Sequence, residues 1–361
     1  MYIYQRENWW QFRWNADRLV ALLGRVRHLQ GKLLGQMSGL GFELRDEALL
    51  ATLTEDVLRS SEIEGEILNR EQVRSSIARR LGLATSGLVD SSHHIDGVVE
   101  MMLDATRRYA EPLTKERLLG WHAALFPDGY SGMYKIEVAR YRSGEMQVVS
   151  GAMGKERIHY EAPQAKEVER EMATFLAWLD AESDADPVVK AAIAHLWFVT
   201  IHPFDDGNGR IARAIADMQL ARSDESDRRF YSMSAQILKE RKTYYDVLEA
   251  VQHGSGDITP WLEWFLACLE RALLGSEAIL QSVLRKAAFW ERHRDTPLND
   301  RQRRMINRLI DGFTGKLTSS KWGKITKTST DTALRDIQDL IDKGMLRKET
   351  SGGRSTNYEL I

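Results

Sequence analysis

Ile201-His-Pro-Phe-Asp-Asp-Gly-Asn-Gly-Arg-Ile-Ala-Arg213 is the stretch on which the reading of this chain turns. It is a polar, glycine-bearing segment between two apolar stretches with helical spacing, Pro187–Ile201 and Ile211–Leu220. Gly207 and Gly209 let the backbone turn tightly and approach a ligand closely. The segment opens a helix near Arg210, where free N–H groups and partial positive charge suit a phosphate. Successive N–H groups in a Gly-Asn-Gly turn make an anion nest. Arg210 and Arg213 lie three residues apart, on one face of the first turn, and add two guanidiniums to it. Asp206 beside the nest is a hard oxygen ligand of the kind Mg²⁺ takes when it bridges phosphates. His202, just before the turn, is placed for general base work near neutral pH. A plain helix–helix loop with caps and surface arginines explains Gly-Asn-Gly alone, but not the whole constellation.

Outward from this segment most of the sequence reads as helix. Apolar stripes predict helices over Asp46–Leu58, Glu167–Leu179, Lys239–Val251 and Pro260–Leu274. The exception is Gly129–Pro163, where short β-prone runs separated by Gly predict a hairpin or extended flap. Helices near Asn299–Ile310, Leu317–Ile325 and Ser329–Lys343, then two strands about a Gly-Gly turn, give the order of a winged helix-turn-helix. From Gln281 onward there are 17 Lys and Arg against 10 Asp and Glu, whereas the rest has 33 against 42. That basic tail, with Arg347, Lys348 and Arg354 in the wing, is an electrostatic footprint for DNA, although four Asp on the Ser329–Lys343 helix weaken it. The bland alternative is a small module that packs on a partner.

Over all 361 residues the net charge is −2, so the whole chain is not a nucleic-acid-coating polycation. With 43% hydrophobic and 28% charged residues it is not disordered, and one cysteine, Cys268, excludes an intramolecular disulfide and any multi-cysteine zinc site. No signal peptide or membrane-length apolar run is visible, so a cytoplasmic protein without membrane contact is expected.

The run His202–Arg213 also resembles the Fic-family signature H-P-F-x-[DE]-G-N-G-R-x-x-R at every fixed position. The resemblance extends from about Asp90 to Leu274, through Tyr141-Arg142, Ile158–Pro163 and Arg241–Tyr245. It implies an all-α fold: a Fic-type helical core with a small β-hairpin flap, an N-terminal helical domain (1–90), a catalytic domain (91–280) and a C-terminal winged helix-turn-helix (281–361). It implies transfer of AMP from ATP to a Ser, Thr or Tyr hydroxyl of a target protein, or of the protein itself, with release of pyrophosphate. By the same resemblance His202 is the base, and Phe204 packs inward to hold the loop. Asp206 binds Mg²⁺, and Gly207, Asn208 and Gly209 hold phosphates. Arg210 and Arg213 contact the β- and γ-phosphates, and Tyr244 and Tyr245 meet the nucleoside. Ile158, His159 and Tyr160 are the expected edge on which an extended target lies.

Ser60-Ser-Glu-Ile-Glu-Gly65 fits [ST]-x-x-x-E-[GN], the inhibitory motif of autoinhibited members. Ser60, Glu64 and Gly65 are then a built-in brake, with Glu64 on Arg213, or Glu64 orients water for removal of AMP. Two other readings stand beside this one: a DNA-binding regulator that uses the fold as a nucleotide sensor, and a transferase with another nucleotide donor. A homodimer fits the family, yet no interface is legible. His195, on an apolar helix, reads as a core histidine, and His93-His94 has no matching ligand cluster.

Overall fold

The central pair of helices explains itself locally. In the computed structural model, Asp186 caps α7 (Pro187–Ile201) by accepting from the Val188 N–H, and Pro187 occupies the first turn. Apart from Pro187 and Lys190, every residue of α7 is buried, as a helix apolar all round must be. It stops at His202, whose left-handed backbone (φ 51°) turns the chain away. α8 (Asn208–Asp224) begins after Gly207, also left-handed at φ 81°, and packs along α7. A Cβ at Gly207 would lie 2.9 Å from the Phe126 ring, so this turn admits glycine for both conformation and space.

The structure describes residues 1–83, 88–150, 157–310, 313, 315–349 and 356–361. Around the central pair lie α1 (Ala16–Ser38), α2 (Phe42–Ile63), α3 (Arg70–Leu81), α4 (His93–Arg107), α5 (Lys115–Leu125), α6 (Ala165–Asp180), α9 (Met233–Lys239), α10 (Arg241–Gln252) and the start of α11 (Thr259–Arg292). α6 covers α7, and α2 and α4 cover α8. At the crossing of α4 and α5 a Cβ on Gly97 would fall 1.7 Å from the Ala124 carbonyl oxygen, so the two backbones approach directly. The aromatic packing at Trp197 joins Trp9, Phe175 and Trp178, and Trp9 Nε1 donates to Glu171 at 3.0 Å.

The expected flap is two antiparallel hairpins, β1 (Tyr130–Ser131) with β2 (Tyr134–Lys135), and β3 (Gln147–Ser150) with β4 (Arg157–Glu161). The loop assigned to Gly144–Gly154 lies partly outside the described residues. Among the described residues no helix is long and apolar enough to cross a membrane. The fold is mostly helical, as the sequence predicts.

The chain divides into two compact units: Met1–Leu81 with Asp90–Glu277, and Gly82–Val89 with Ala278–Ile361. The boundary falls inside α11, which runs 18 residues beyond the Leu274 end predicted from its apolar stripe. The second unit contains α12 (Asp300–Ile310), α13 (Ser319–Thr326), α14 (Thr330–Asp342) and the hairpin of β5 (Leu346–Lys348) with β6 (Tyr358–Leu360). Trp322, Ile337, Leu340 and Leu346 fill its core. Two of the α14 aspartates are occupied internally: Asp336 accepts from both Arg301 and Asn299, and Asp339 from Gln302. The wing residue Arg354 lies outside the described residues.

Candidate active site

The loop between α7 and α8 is held from inside. Asn208 Oδ1 accepts from the Phe204 N–H at 3.0 Å, and Asn208 Nδ2 donates to the Phe204 carbonyl at 2.8 Å. Phe204 is fully buried and stacks on His122 at 4.1 Å between ring centres. The Ala139 N–H donates to His122 Nδ1, so the ring proton sits on Nε2, which donates to the Asp206 carbonyl at 3.2 Å. Burial pushes the His122 pKa down to about 4, which keeps this bridge neutral. Asp206 Oδ1 accepts from the Gly207 N–H at 2.5 Å, and Oδ2 accepts from the Ser131 hydroxyl of β1.

His202 stands at the end of α7 with Nδ1 3.2 Å from the Val199 carbonyl. A carbonyl only accepts, so Nδ1 carries the proton and Nε2 keeps its lone pair. Burial, which outweighs that hydrogen bond, lowers the His202 pKa to about 4. The ring is therefore neutral at pH 7 and able to take a proton. The buried Arg142 fixes the backbone beneath it. Its Nε donates to the His202 carbonyl at 2.8 Å, Nη1 to Gly144 at 2.8 Å and Nη2 to Pro163 at 2.5 Å. One guanidinium thus ties both ends of the β3–β4 flap to the His202 backbone.

Arg210 and Arg213, near the start of α8, already hold carboxylates. Arg213 donates from Nε to Ser60 Oγ at 2.9 Å and from Nη2 to the Ser60 carbonyl at 2.8 Å, and pairs with Glu64 at 2.8 Å. Its side chain is 2% exposed and Glu64's is 31%, so the pair sits at a mouth, with the acid on the solvent side. Arg213 Nη1 is buried with no hydrogen-bond partner. A Cβ at Gly209 would lie 2.1 Å from Glu64 Oε1 and 3.3 Å from Arg213 Nη1. The carboxylate thus rests against the backbone of the glycine turn. Gly65 ends the turn at φ 88°, and Arg241 Nε holds the last carbonyl of α2, that of Ile63, at 2.8 Å. Arg210 pairs with Glu66 at 3.0 Å, and Glu66 also contacts His94.

The site therefore brings together His202, Asp206, Gly207, Gly209, Arg210, Arg213, Ser60, Glu64 and Gly65. Phe204 packs inward and holds the loop, whereas the Asn208 side chain, expected to hold phosphate, is consumed inside the loop and shapes it. The two tyrosines separate. Tyr244 is buried with its hydroxyl 2.9 Å from His195 Nε2, so it is core and presents no open surface to a nucleoside. Tyr245 is 37% exposed and lies beside Arg241. On the flap, Ile158 faces outward opposite Val149. His159 is paired with Glu249 at 2.6 Å. Tyr160 is buried and donates to the Thr200 carbonyl at 2.6 Å, which corrects its assignment to a docking edge. Simple alternation would put Ile158 and Tyr160 on one face; the β-bulge, where Val148 pairs with Tyr160 and Val149 with Ile158, breaks that alternation. His195 is a buried core histidine with its pKa pushed down to about 3. His122, Arg142, Glu66 and His94 are the site residues that sequence reasoning missed. Each acts through a partner remote in sequence.

Residues 112–220 match the model of the Fic/DOC family, and residues 2–83 match that of a domain of unknown function (DUF4172). The Fic/DOC match thus spans the two central helices and the glycine loop between them. Among curated proteins, the chain is 24% identical over 221 residues to a protein adenylyltransferase Fic of Nematostella vectensis, covering 60% of this chain and 47% of that one. It is 38% identical over 104 residues to the protein of the same name from Culex quinquefasciatus, covering 28% of this chain and 19% of that one. The chain thus spans less than half the length of these relatives. Among solved structures it is similar to a Fic family protein from Desulfovibrio desulfuricans G20, with TM-score 0.53, 24% identity and 95% of both chains covered. It is also similar to a Fic domain containing signaling protein from Bacteroides thetaiotaomicron, with TM-score 0.54, 22% identity, and 71% of this chain and 97% of that one covered. These likenesses establish the fold.

Proposed function

We propose that the chain is a protein adenylyltransferase held in a restrained state by Glu64. The observation that carries this reading is the neutral His202, its Nε2 free to accept, beside a glycine turn whose two buried arginines are each paired with an acid. A triphosphate is the class of ligand that two desolvated guanidiniums and a helix N-terminus would hold. The unpartnered Arg213 Nη1 is an orphaned donor that such a ligand satisfies.

In the reaction, the hydroxyl oxygen of the target forms a bond to the α-phosphorus of ATP, and the bond from that phosphorus to the oxygen bridging to the β-phosphate breaks. His202 Nε2 takes the hydroxyl proton, and pyrophosphate leaves with the displaced electron pair. Arg210 and Arg213 hold the leaving phosphates, and the backbone N–H groups at the start of α8 stabilise negative charge. Asp206 fits Mg²⁺: it is a part-exposed carboxylate beside the cradle, and among the described residues no cage of three or more acidic, His or Cys side chains competes with it. When bound, the ion supplies charge neutralisation on the phosphates. Glu64 opposes the reaction by occupying the Arg213 guanidinium and the face of Gly209, so the phosphate chain is not held in line with the hydroxyl. Because this carboxylate reaches solvent, a second reading gives it a further task, orienting water for removal of AMP.

The test is incubation of Glu64→Gly with α-labelled ATP, CTP, GTP and UTP, read by intact mass. ATP is expected to modify the protein strongly, the native chain weakly, and Glu64→Gly/His202→Ala not at all. No attachment from any nucleotide overturns the reading. The basic second unit, a winged-helix order in which Asp336 pairs with Arg301 and Asp339 with Lys343, supports an additional DNA contact through α14 and the wing. A mobility shift that weakens as salt rises tests it, and salt-insensitive or absent binding removes it.

A further inference from the structure

Glu66 lies two residues after Glu64, across the left-handed Gly65. Its Oε2 accepts from Arg210 Nη1 at 3.0 Å, and its Oε1 faces His94 Nε2. The other ring nitrogen of His94, Nδ1, lies 3.1 Å from the Leu125 carbonyl. Both ring nitrogens therefore face oxygens that accept, so the ring carries both protons and a positive charge. The pKa of His94 is raised, chiefly by its hydrogen bond to Glu66, in the direction this geometry requires.

Arg210 is as enclosed as Arg213. It is buried against the Phe126 ring, 5.1 Å from its centre, and its Nε has no partner. Its other acidic neighbour, Asp206, is 4.0 Å away. The turn that ends α2 thus delivers two acids, on alternate residues, to the two arginines that stand three apart on α8. The left-handed Gly65 lies between them at the reversal.

We propose that Glu66 is a second inhibitory carboxylate, which withholds Arg210 from an incoming polyphosphate while His94 retains it. This rests on the nucleotide-binding reading above and extends it: the brake has two teeth, and removing Glu64 frees only one arginine. The same contacts would also suit a residue that positions Arg210 for the ligand. The two roles differ in sign, since a competitor lost tightens nucleotide binding and a support lost weakens it.

The test uses the full chain and the magnesium complex of a non-hydrolysable ATP analogue, with affinity measured calorimetrically. Three forms are compared: Glu64→Gly alone, and the same background with Glu66→Gln or Glu66→Asp. Far-UV circular dichroism and melting confirm that each is folded. Gln keeps the shape and removes the charge, whereas Asp keeps the charge and is too short to hold Arg210. Both double variants are expected to bind at least about tenfold tighter than Glu64→Gly. Equal or weaker binding in the double variants overturns the proposal. So does tightening in Gln alone, which would be a long-range charge effect and not occupancy of Arg210. Failure of every form to bind the analogue or to be labelled by ATP would instead remove the adenylyltransferase reading itself.

Discussion

Replacing Glu64 should lower the stability of the ligand-free protein and, at the same time, make it more responsive to nucleotide. In the native chain only Glu64 among the hydrogen-bonding partners of Arg213 is charged, and Arg213 Nη1 has no partner. Without Glu64 a guanidinium that is 2% exposed is left with neutral partners only, the two oxygens of Ser60 and the neighbouring Tyr244 hydroxyl. Breaking one side of a fully buried pair costs about 3–5 kcal/mol. Here the acid lies on the open side, so water replaces part of what is lost, and about 1–2 kcal/mol is the appropriate scale. For a unit of this size that lowers the melting temperature by roughly 2–8 °C. A ligand that binds only the folded state restores about 2.7 kcal/mol at a hundred times its dissociation constant, enough to more than reverse the loss. The assay is thermal melting of native, Glu64→Gln and Glu64→Gly proteins with and without the magnesium complex of a non-hydrolysable ATP analogue. Gln should fall between the other two. Equal ligand-induced shifts in all three proteins would refute the claim that Glu64 and the phosphates compete for Arg213.

With His202 as the proposed base, its burial sets the acid limb of catalysis: with a pKa near 4 the imidazole is neutral, and able to accept a proton, above that pH and loses that ability as pH falls through it. Labelling by Glu64→Gly should therefore show no His202-dependent decline between about pH 6 and pH 8, and a limb centred near the ordinary histidine value would contradict the environment described. Arg142→Lys retains a charge but cannot reproduce three hydrogen bonds to His202, Gly144 and Pro163, so turnover should fall at least about tenfold with little change in nucleotide affinity. A loss confined to nucleotide affinity would place Arg142 in ligand binding instead. Tyr244→Phe should cost about 1 kcal/mol of stability through the lost His195 hydrogen bond and leave nucleotide affinity unchanged, and weaker nucleotide binding would return Tyr244 to the nucleoside.

The parts of this molecule legible in the sequence are those encoded locally. The apolar run of α7, its Asp-Pro start, and the glycine turn after it all lie within one continuous stretch, and the structure places them together. The Ser60–Glu64 spacing is likewise local, one helical turn, and both residues meet Arg213. What escaped is tertiary. Glu66 reaches residues 28 and 144 positions away, and His122 reaches Asp206 across 84 positions, distances that no window of sequence spans. Tyr244 is a different failure. The buried residues Tyr244, Leu248 and Val251 repeat at helical spacing along α10, so the phase that puts Tyr244 inside and Tyr245 outside was readable from the pattern.

The position of Glu64 also decides how such a brake can be released. α2 is not a detachable strap: Ala48, Leu49, Leu50, Leu53, Val57, Leu58 and Ile63 are all buried. Asp56 from the same helix accepts from the Ser232 hydroxyl and the Ser234 N–H inside the protein. Withdrawing the helix would expose those apolar side chains at a cost on the order of 10 kcal/mol or more. Micromolar nucleotide binding supplies about 8 kcal/mol, too little to drive that departure. Turning Glu64 into solvent breaks one charge-assisted contact, worth about 1–3 kcal/mol, and leaves the seven apolar residues and the Arg241–Ile63 tie in place. A triphosphate can displace the side chain but not the helix. On the proposed reading, the inhibited and released states of this site therefore differ in the turn around Gly65 and not in the packing of α2.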